Sequence, residues 1–536
     1  MSGPGPDAPS GATARRPNFL LITTDQHRAD HLGCTAASVL RTPHLDALAQ
    51  RGTRFERCFV ASPVCMPNRA AWMTGRMPSA AGVRMNGMPL PLQARTFVDV
   101  LRQAGWRTAL VGKAHLQAMT DRPAAWRRDA PVGPPPLQAV TDLRDGEAYE
   151  QESVARWKDP AHRVRLPYYG FEHAELCLEH GDLVGGDYAR WLQAQGAEAA
   201  RLCGPGAALP AEVLPVLEAW RTRLPEELHP TRYVAERTIA WLRAHRSGPD
   251  RERPFFLHCS FADPHHPFAP PGRYWDHAAP ADVALPATCG PASAADVPLK
   301  RALHAEREQG RRPAGTSRAI AVTPLEARQA IALNFGSIAF IDDAVGRLLA
   351  GLRALGLDQD TVVVFTSDHG DFMGDHGLLN KGPLHYQGLL RVPMIWADVE
   401  GRAAARDDRL CNALDLSATV LARAGVAAPQ GLRGQDLRRE DAVPRTALLV
   451  EEEAHHRYPG AAFPARVHTL LTGRWRLSVR AGEDWGELYD LQEDPEERFN
   501  LWSDPGRAAL RADLAVQLVQ QMQAHADDMP LPARVA

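Results

Sequence analysis

The chain predicts an α/β fold: a large, mostly parallel sheet sandwiched by helices, followed by a smaller antiparallel α+β unit. Three observations predict it. Continuous apolar runs such as Asn18–Thr24 and residues 361–366 read as strands buried on both faces of a sheet. Such runs alternate with capped helical segments up to about residue 430, the pattern of a doubly wound sheet. Beyond that point, short strands separated by turn residues take over. The expected organisation is a disordered leader over 1–16, a main unit over 17–430 and a C-terminal unit over 431–536.

Taken in order, the first strand ends at Asp25-Gln26-His27-Arg28. A helix over 42–52 has Thr42 as N-cap, Pro43 at its first position and Gly52 as its stop. A strand-like segment over 53–60 delivers the chain to Cys65. The next helix has Pro67 in its first turn and Gly75 just past its end. Residues 96–104 form another capped helix, and a strand over 108–111 ends in Gly112-Lys113-Ala114-His115-Leu116. From 120 to about 230 the pattern weakens; the proline-rich stretch 131–136 and charged runs around 142–158 read as insertions and loops. A helix near 231–245 and a strand over 254–261 follow, the strand ending in Asp263-Pro264-His265-His266-Pro267. A polar insertion extends to about 322. A long helical pattern over 324–355, bent at Gly336, feeds the strand 361–366 and then Ser367-Asp368-His369-Gly370. A strand at 392–396 and a helix near 414–424 close the main unit. Strands at 467–472, 474–479 and 487–491 and a helix over 508–526 make the C-terminal unit.

A chain of 536 residues exceeds what one hydrophobic core usually serves. Its 45% hydrophobic and 23% charged residues are ordinary for a globular protein. A net charge of −3 gives no overall basic footprint, so neither nucleic acid nor an anionic membrane is an expected partner. The leader lacks an apolar core, and no uncharged apolar run of about 20 residues occurs, so no signal peptide or membrane span is predicted and a cytoplasmic location is expected. The eight cysteines are scattered without a C-x-x-C pair, which argues against a zinc module or a disulfide scaffold.

Four buried strands end in polar clusters: Asp25, Lys113 with His115, His265, and Asp368 with His369. Ligands of open α/β sheets bind outside the carboxyl ends of strands, so these residues are expected to meet on one rim. Asp25 and Asp368 offer hard oxygens and His369 an imidazole, together a divalent-cation site, although each alone reads as a turn or cap residue. Cys65 falls at a helix N-terminus, where unpaired N–H groups and the helix dipole favour an anion, and Arg69 lies one turn along. Taken singly, Lys113 reads as a snorkelling lysine, Lys381 as a solvated one and Asn86 as a turn residue. His266 reads as solvated or structural, and His455-His456 as structural.

Cys65-Met66-Pro67-Asn68-Arg69, with Thr74-Gly75-Arg76 after it, resembles the C-x-P-x-R signature of the sulfatase family of the alkaline-phosphatase superfamily. Gly112-Lys113-Ala114-His115-Leu116, Pro264-His265-His266-Pro267-Phe268, Ser367-Asp368-His369-Gly370, Asn380-Lys381-Gly382-Pro383 and Gly486-Glu487-Leu488-Tyr489-Asp490-Leu491 are similar to further family segments in the same order. The resemblance implies an alkaline-phosphatase-like fold and a hydrolase of sulfate esters. It also implies a maturation enzyme that oxidises Cys65 to formylglycine (3-oxoalanine), which is then the nucleophile. By the same resemblance Asp25, Gln26, residue 65, Asp368 and His369 would hold one divalent metal. Arg69, Lys113, His115, His265 and Lys381 would be catalytic, and Asn86, Lys113, His265 and Lys381 would bind substrate. Asn68 stands where Ser is usual, and Gln26 where many sulfatases have a second Asp. Gln26 resembles the phosphonate monoester hydrolase branch, which often uses manganese; calcium is the other candidate. Two alternatives stand beside sulfate-ester hydrolysis: a phosphonate monoester or phosphodiester hydrolase with the same nucleophile, and a metal- or anion-binding protein with unmatured Cys65. The expected partner is a small-molecule sulfate or phosphonate ester, with a homo-oligomer left open.

Overall fold

The computed structural model describes residues 16–35, 39–120, 122, 139, 144–196, 198–214, 217–311, 317–439, 441 and 443–534. The predicted leader up to residue 15, the proline-rich stretch 131–136 and residues 142–143 lie outside the described residues. Among the described residues, nine strands form one sheet. They are β1 (Asn18–Thr24), β2 (Thr53–Phe55), β3 (Arg107–Gly112), β4 (His173–Leu178), β5 (Gly185–Gly186), β6 (Phe255–Ser260), β7 (Thr361–Ser367), β8 (Met394–Ala397) and β9 (Ala405–Asp407). Their spatial order is β9-β2-β8-β7-β1-β6-β3-β4-β5. All but β5 and β8 run in one direction.

Successive side chains of a strand point to opposite faces, and β1 uses both. Phe19 and Leu21 enter one core with α2 (Cys65–Thr74), α3 (Phe97–Gln103) and α7 (Leu414–Arg423); Leu20 and Ile22 enter the other with α1 (Pro43–Arg51), α4 (Asp187–Ala194), α5 (Pro230–Ser247) and α6 (Pro324–Ala354). This is why the central strands read as unbroken apolar runs. A second sheet follows in antiparallel order, β10 (Ala447–Glu453), β11 (Arg466–Thr472), β12 (Trp475–Arg480) and β13 (Glu487–Asp490). Helix α8 (Ala508–Ala524) buries Leu514 and Leu518 in the same core as Leu470 and Leu477 of that sheet. Among the described residues no helix is long and apolar enough to cross a membrane.

The structure corrects several expectations. The region from 120 to 230 is not only loop: β4 extends the main sheet beside β3. Residues 53–60 are two short strands, β2 and Cys58–Phe59, separated by a turn. Helix α6 runs uninterrupted through Gly336, which is small because a Cβ there would lie 2.1 Å from the Tyr274 carbonyl oxygen. Thr42 makes no side-chain cap to α1; its hydroxyl accepts from Gly33 N and donates to Asp46. Strand β10 carries no recognisable turn-bounded alternation and escaped the sequence reading.

Backbone hydrogen bonds level the strand ends into a rim. Asp25 N donates to Asp263 O at 3.2 Å, Lys113 N to Ser260 O at 3.0 Å and Asp368 N to Thr24 O at 3.3 Å. Adjacent strands in the order β7-β1-β6-β3-β4 therefore deliver Asp368 and His369, Asp25 and Gln26, His265, Lys113 and His115, and lastly His180, side by side.

Candidate active site

Cys65 is the first residue of α2, after the extended Val64, and Gly75 ends the helix in the left-handed region at φ 65°. Asn68 fixes the approach: its Oδ1 accepts from Ala61 N at 2.9 Å and its Nδ2 donates to the Asp368 carbonyl at 2.6 Å. The residue that departs from the usual Ser is thus a buried tie between the loop before Cys65 and the end of β7. Asn86 Oδ1 accepts from Met66 N at 3.1 Å, supplying the cap that Val64 does not.

Cys65 Sγ lies 3.1 Å from His369 Nε2, 3.1 Å from Lys381 Nζ and 3.7 Å from Asp25 Oδ1. Asp25, Cys65, Asp368 and His369, all buried, bring one ligand atom each to within 4.8 Å of one another. His369 Nδ1 donates to the Gly370 carbonyl at 2.8 Å, which leaves the Nε2 lone pair facing this cluster, the tautomer a metal ligand needs. Gln26 Oε1 comes from the same side, 3.1 Å from Lys381 Nζ. Carboxylate and amide oxygens with one imidazole suit a hard divalent cation such as Mn2+ or Ca2+.

Positive groups ring the cluster. Arg69 Nε donates to Asp368 Oδ2 at 2.7 Å, its Nη2 to Asp25 Oδ2 at 3.4 Å, and its Nη1 to the Lys113 carbonyl and Ser260 Oγ. Lys113 Nζ, fully buried, donates to Asp25 Oδ2 and lies 2.5 Å from His180 Nε2. Lys381 is 3% exposed, not the solvated lysine its sequence context suggests. Burial opposes its charge, yet Cys65, Asp25 and Asp368 outweigh that and raise its pKa. Burial likewise opposes ionisation of Asp25, and Lys113 and Arg69 override it, holding the carboxyl well below its ordinary range. Burial first, and Asp25 second, push the Cys65 thiol up to about 11.

The histidines are neutral for a common reason. Burial lowers His115, His180 and His265 well below the usual imidazole value, and Lys113 reinforces this at His115 and His180. His265 Nδ1 donates to the His266 carbonyl, so its Nε2 lone pair faces Lys381 Nζ at 3.3 Å. His115 reaches the rim with Nδ1 buried and unpartnered, while its backbone N–H and those of Leu116 and Gln117 are held by Glu152. His266 is not solvated: it is buried, stacks on His265 at 4.1 Å and has Nδ1 3.3 Å from Gln26 Nε2.

The structure therefore gathers Asp25, Gln26, Cys65, Arg69, Lys113, His115, His265, Asp368, His369 and Lys381 at one place, with Asn86 beside the helix start. Sequence reasoning missed His180, Glu152 and Asp371. His180 stacks on His265 at 3.7 Å and follows β4. The signal was present, a strand ending in Glu179-His180 like the other strand ends, but it lay in the weakly patterned region.

A mostly parallel sheet whose strand ends bring carboxylates, imidazoles and cations together is the architecture of sulfatases and of the alkaline-phosphatase superfamily, as comparison with known proteins shows. A model of the sulfatase family matches residues 17–426, and one described as N-sulphoglucosamine sulphohydrolase, C-terminal, matches residues 374–524. The chain belongs to the sulfatase family and is a sulfuric ester hydrolase. It is 26% identical over 508 residues to an arylsulfatase of Clostridium perfringens, covering 91% of this chain and 90% of that protein. It is 28% identical over 537 residues to the multifunctional alkaline phosphatase superfamily protein PehA of Trinickia caryophylli, covering 96% of each. The crystal structure of a phosphonate monoester hydrolase of Agrobacterium radiobacter superposes with a TM-score of 0.72 at 26% identity, covering 96% of this chain and 97% of that one.

Proposed function

We propose that residue 65, once converted from cysteine to formylglycine, is the nucleophile in hydrolysis of a small-molecule sulfate ester, supported by one divalent cation. One observation carries this reading: Cys65 Sγ stands at a helix N-terminus within reach of Asp25, His369 and Lys381 together. The Sγ position stands in for a hydroxyl oxygen of the hydrated aldehyde. Asp25, Gln26, residue 65, Asp368 and His369 would hold the cation, Mn2+ or Ca2+, whose charge lowers the pKa of an adjacent hydroxyl.

The remaining roles follow from what each side chain has to offer. A hydroxyl of residue 65 gives up its proton to solvent, its oxygen bonds to sulfur in line, and the bond from sulfur to the leaving oxygen breaks. Lys381 carries a proton and faces the His265 lone pair, so this pair protonates the leaving oxygen. Lys113 offsets charge on the non-bridging oxygens. Arg69 has spent its guanidinium on Asp25 and Asp368, and serves by fixing those carboxylates. Neutral His115 takes the proton from the second hydroxyl of residue 65; its oxygen forms the C=O bond as the bond from the same carbon to the sulfate oxygen breaks, so the aldehyde re-forms, sulfate leaves, and water adds to restore the two hydroxyls. Two carboxylates and an amide oxygen suit a hard cation, for which a soft thiol is a poor ligand, and this disfavours the binding-protein alternative.

The test is the mass of the Cys65 peptide from protein co-produced with a formylglycine-generating enzyme, followed by paired assays on an aryl sulfate and a phenyl phosphonate ester. A mass matching aldehyde in place of the thiol-bearing group, with faster turnover of the sulfate, is expected. An unmodified thiol with undiminished turnover in Cys65→Ala would overturn the nucleophile. Gln26 favours phosphonate monoesters as the second reading, because an amide leaves the site one negative charge short; faster phosphonate turnover would establish that order.

A further inference from the structure

Gln26 lies at the end of β1 with its backbone in the left-handed region at φ 62° and its N–H donating to Asp368 Oδ1 at 3.1 Å. This throws its side chain between neighbours of opposite character. On one side, Nε2 donates to Asp371 Oδ2 and sits 3.3 Å from His266 Nδ1. On the other, Oε1 lies 3.1 Å from Lys381 Nζ, which is itself 3.1 Å from both Cys65 Sγ and His369 Nε2. An ammonium can only donate, so the oxygen end of the amide must face it, and with it the ligand cluster.

Asp371 is fixed in its turn. Fully buried, its Oδ1 accepts from Met373 N at 2.8 Å and Asn380 N at 3.0 Å, which leaves Oδ2 for Gln26. We infer that Asp371 is a positioning residue: by holding the Gln26 amide by its nitrogen, it makes Gln26 a carbonyl donor to the cation and dictates amide rather than carboxylate at position 26. This rests on the cation site proposed above. Aspartate or glutamate at position 26 would set a carboxylate against Asp371, so the reduced charge of the site is a consequence of Asp371.

The substitution Asp371→Asn exposes this logic. The oxygen of the new side chain must still accept from Met373 N and Asn380 N, so its NH2 group would meet Gln26 Nε2, donor against donor. The Gln26 amide then turns over and presents NH2 to the ligand cluster. Adding Gln26→Glu restores the pattern: one carboxylate oxygen accepts from the NH2 group introduced at position 371 and the other faces the cation.

The experiment titrates chelator-stripped, matured protein with Mn2+ and with Ca2+ by calorimetry, for wild type, Asp371→Asn and the double variant Asp371→Asn/Gln26→Glu. Asp371→Asn is expected to weaken binding by roughly 10- to 100-fold, and the double variant to regain it. Unchanged affinity in Asp371→Asn, or a double variant that binds no tighter than the single one, overturns the inference; a merely misfolded single variant would not be rescued. Wild-type protein that binds neither cation overturns the cation site itself, and the inference with it.

Discussion

His180 joins Lys113 to His265, and its Nε2 comes within 3.8 Å of Asp25 Oδ2. Its Nε2 is 2.5 Å from Lys113 Nζ, and because an ammonium only donates, this nitrogen accepts and the ring carries its proton on Nδ1. The ring also lies nearly parallel to His265, at 14°. Replacing it with alanine removes both the acceptor for Lys113 and the surface that holds His265 flat. His180→Ala is therefore expected to lower kcat roughly 10- to 100-fold. His180→Gln, whose amide oxygen reproduces the acceptor, should recover part of that loss without restoring the stack. Steady-state kinetics on an aryl sulfate decide it, and wild-type kcat in the alanine variant would refute the role. At this scale the sequence disclosed residues that carry chemistry beside a strand end, such as Asp25, Lys113, His265 and Asp368. It did not disclose Glu152 or Asp371, whose importance lies in contacts between distant segments that no local pattern encodes, and His180 was hidden because the strand it follows is weakly patterned.

At the scale of elements, the rim depends on strands ending level with one another, and Gly112 shows how tightly. It closes β3 at φ 113°, and a Cβ there would lie 1.9 Å from the Ser260 carbonyl oxygen of β6. That oxygen also accepts from Lys113 N at 3.0 Å, so any side chain at 112 must push apart the two strand ends that place Lys113. Gly112→Ala should cost roughly 3 kcal/mol or more of stability, combining backbone strain with overpacking. Gly356→Ala makes the control: its φ is also positive, at 65°, but nothing lies within 4 Å, so only about 1 kcal/mol is expected. Denaturant melts of the two variants measure the difference, and equal losses would show that strand level does not matter. Elements were legible wherever periodicity was clean, as in β1, β7 and α3, whose Thr96–Asp99 capping box is present. β4 was obscured because its first residues are only half-buried at the flank of the sheet, and so do not read as an apolar run.

For the whole molecule, the small C-terminal sheet is part of the site's frame. Tyr458 OH donates to the Lys381 carbonyl at 3.3 Å, and Arg480 on β12 donates to the Pro383 carbonyl, so the loop bearing Lys381 is braced from the second sheet. The same closeness of packing keeps imidazoles neutral, and this links global stability to pH. His31 sits between the loop after β1 and α6: its Nδ1 is 3.0 Å from Asn334 Oδ1 and its ring packs edge-on against Phe335. Burial, only partly opposed by Asp30, lowers its pKa to about 4. The folded pKa is thus below the unfolded value of 6.5, so between these limits the unfolded chain binds more protons than the native one. The contribution is complete above about pH 6.5 and is lost as pH falls through about 4, on the order of 3 kcal/mol at most. Buried carboxyls such as Asp263 and Asp342, pushed up to about 6, act in the opposite sense, so a difference between variants isolates the histidine better than the wild-type profile does. His31→Asn keeps a donor for Asn334 but cannot take up a proton. Its melting temperature relative to wild type should therefore rise steadily as the buffer is taken from about pH 7 to about pH 4.5, whatever the offset at neutral pH. Parallel profiles across that range would mean that His31 titrates alike in the folded and unfolded chain, and that the site's outer loop is open to water.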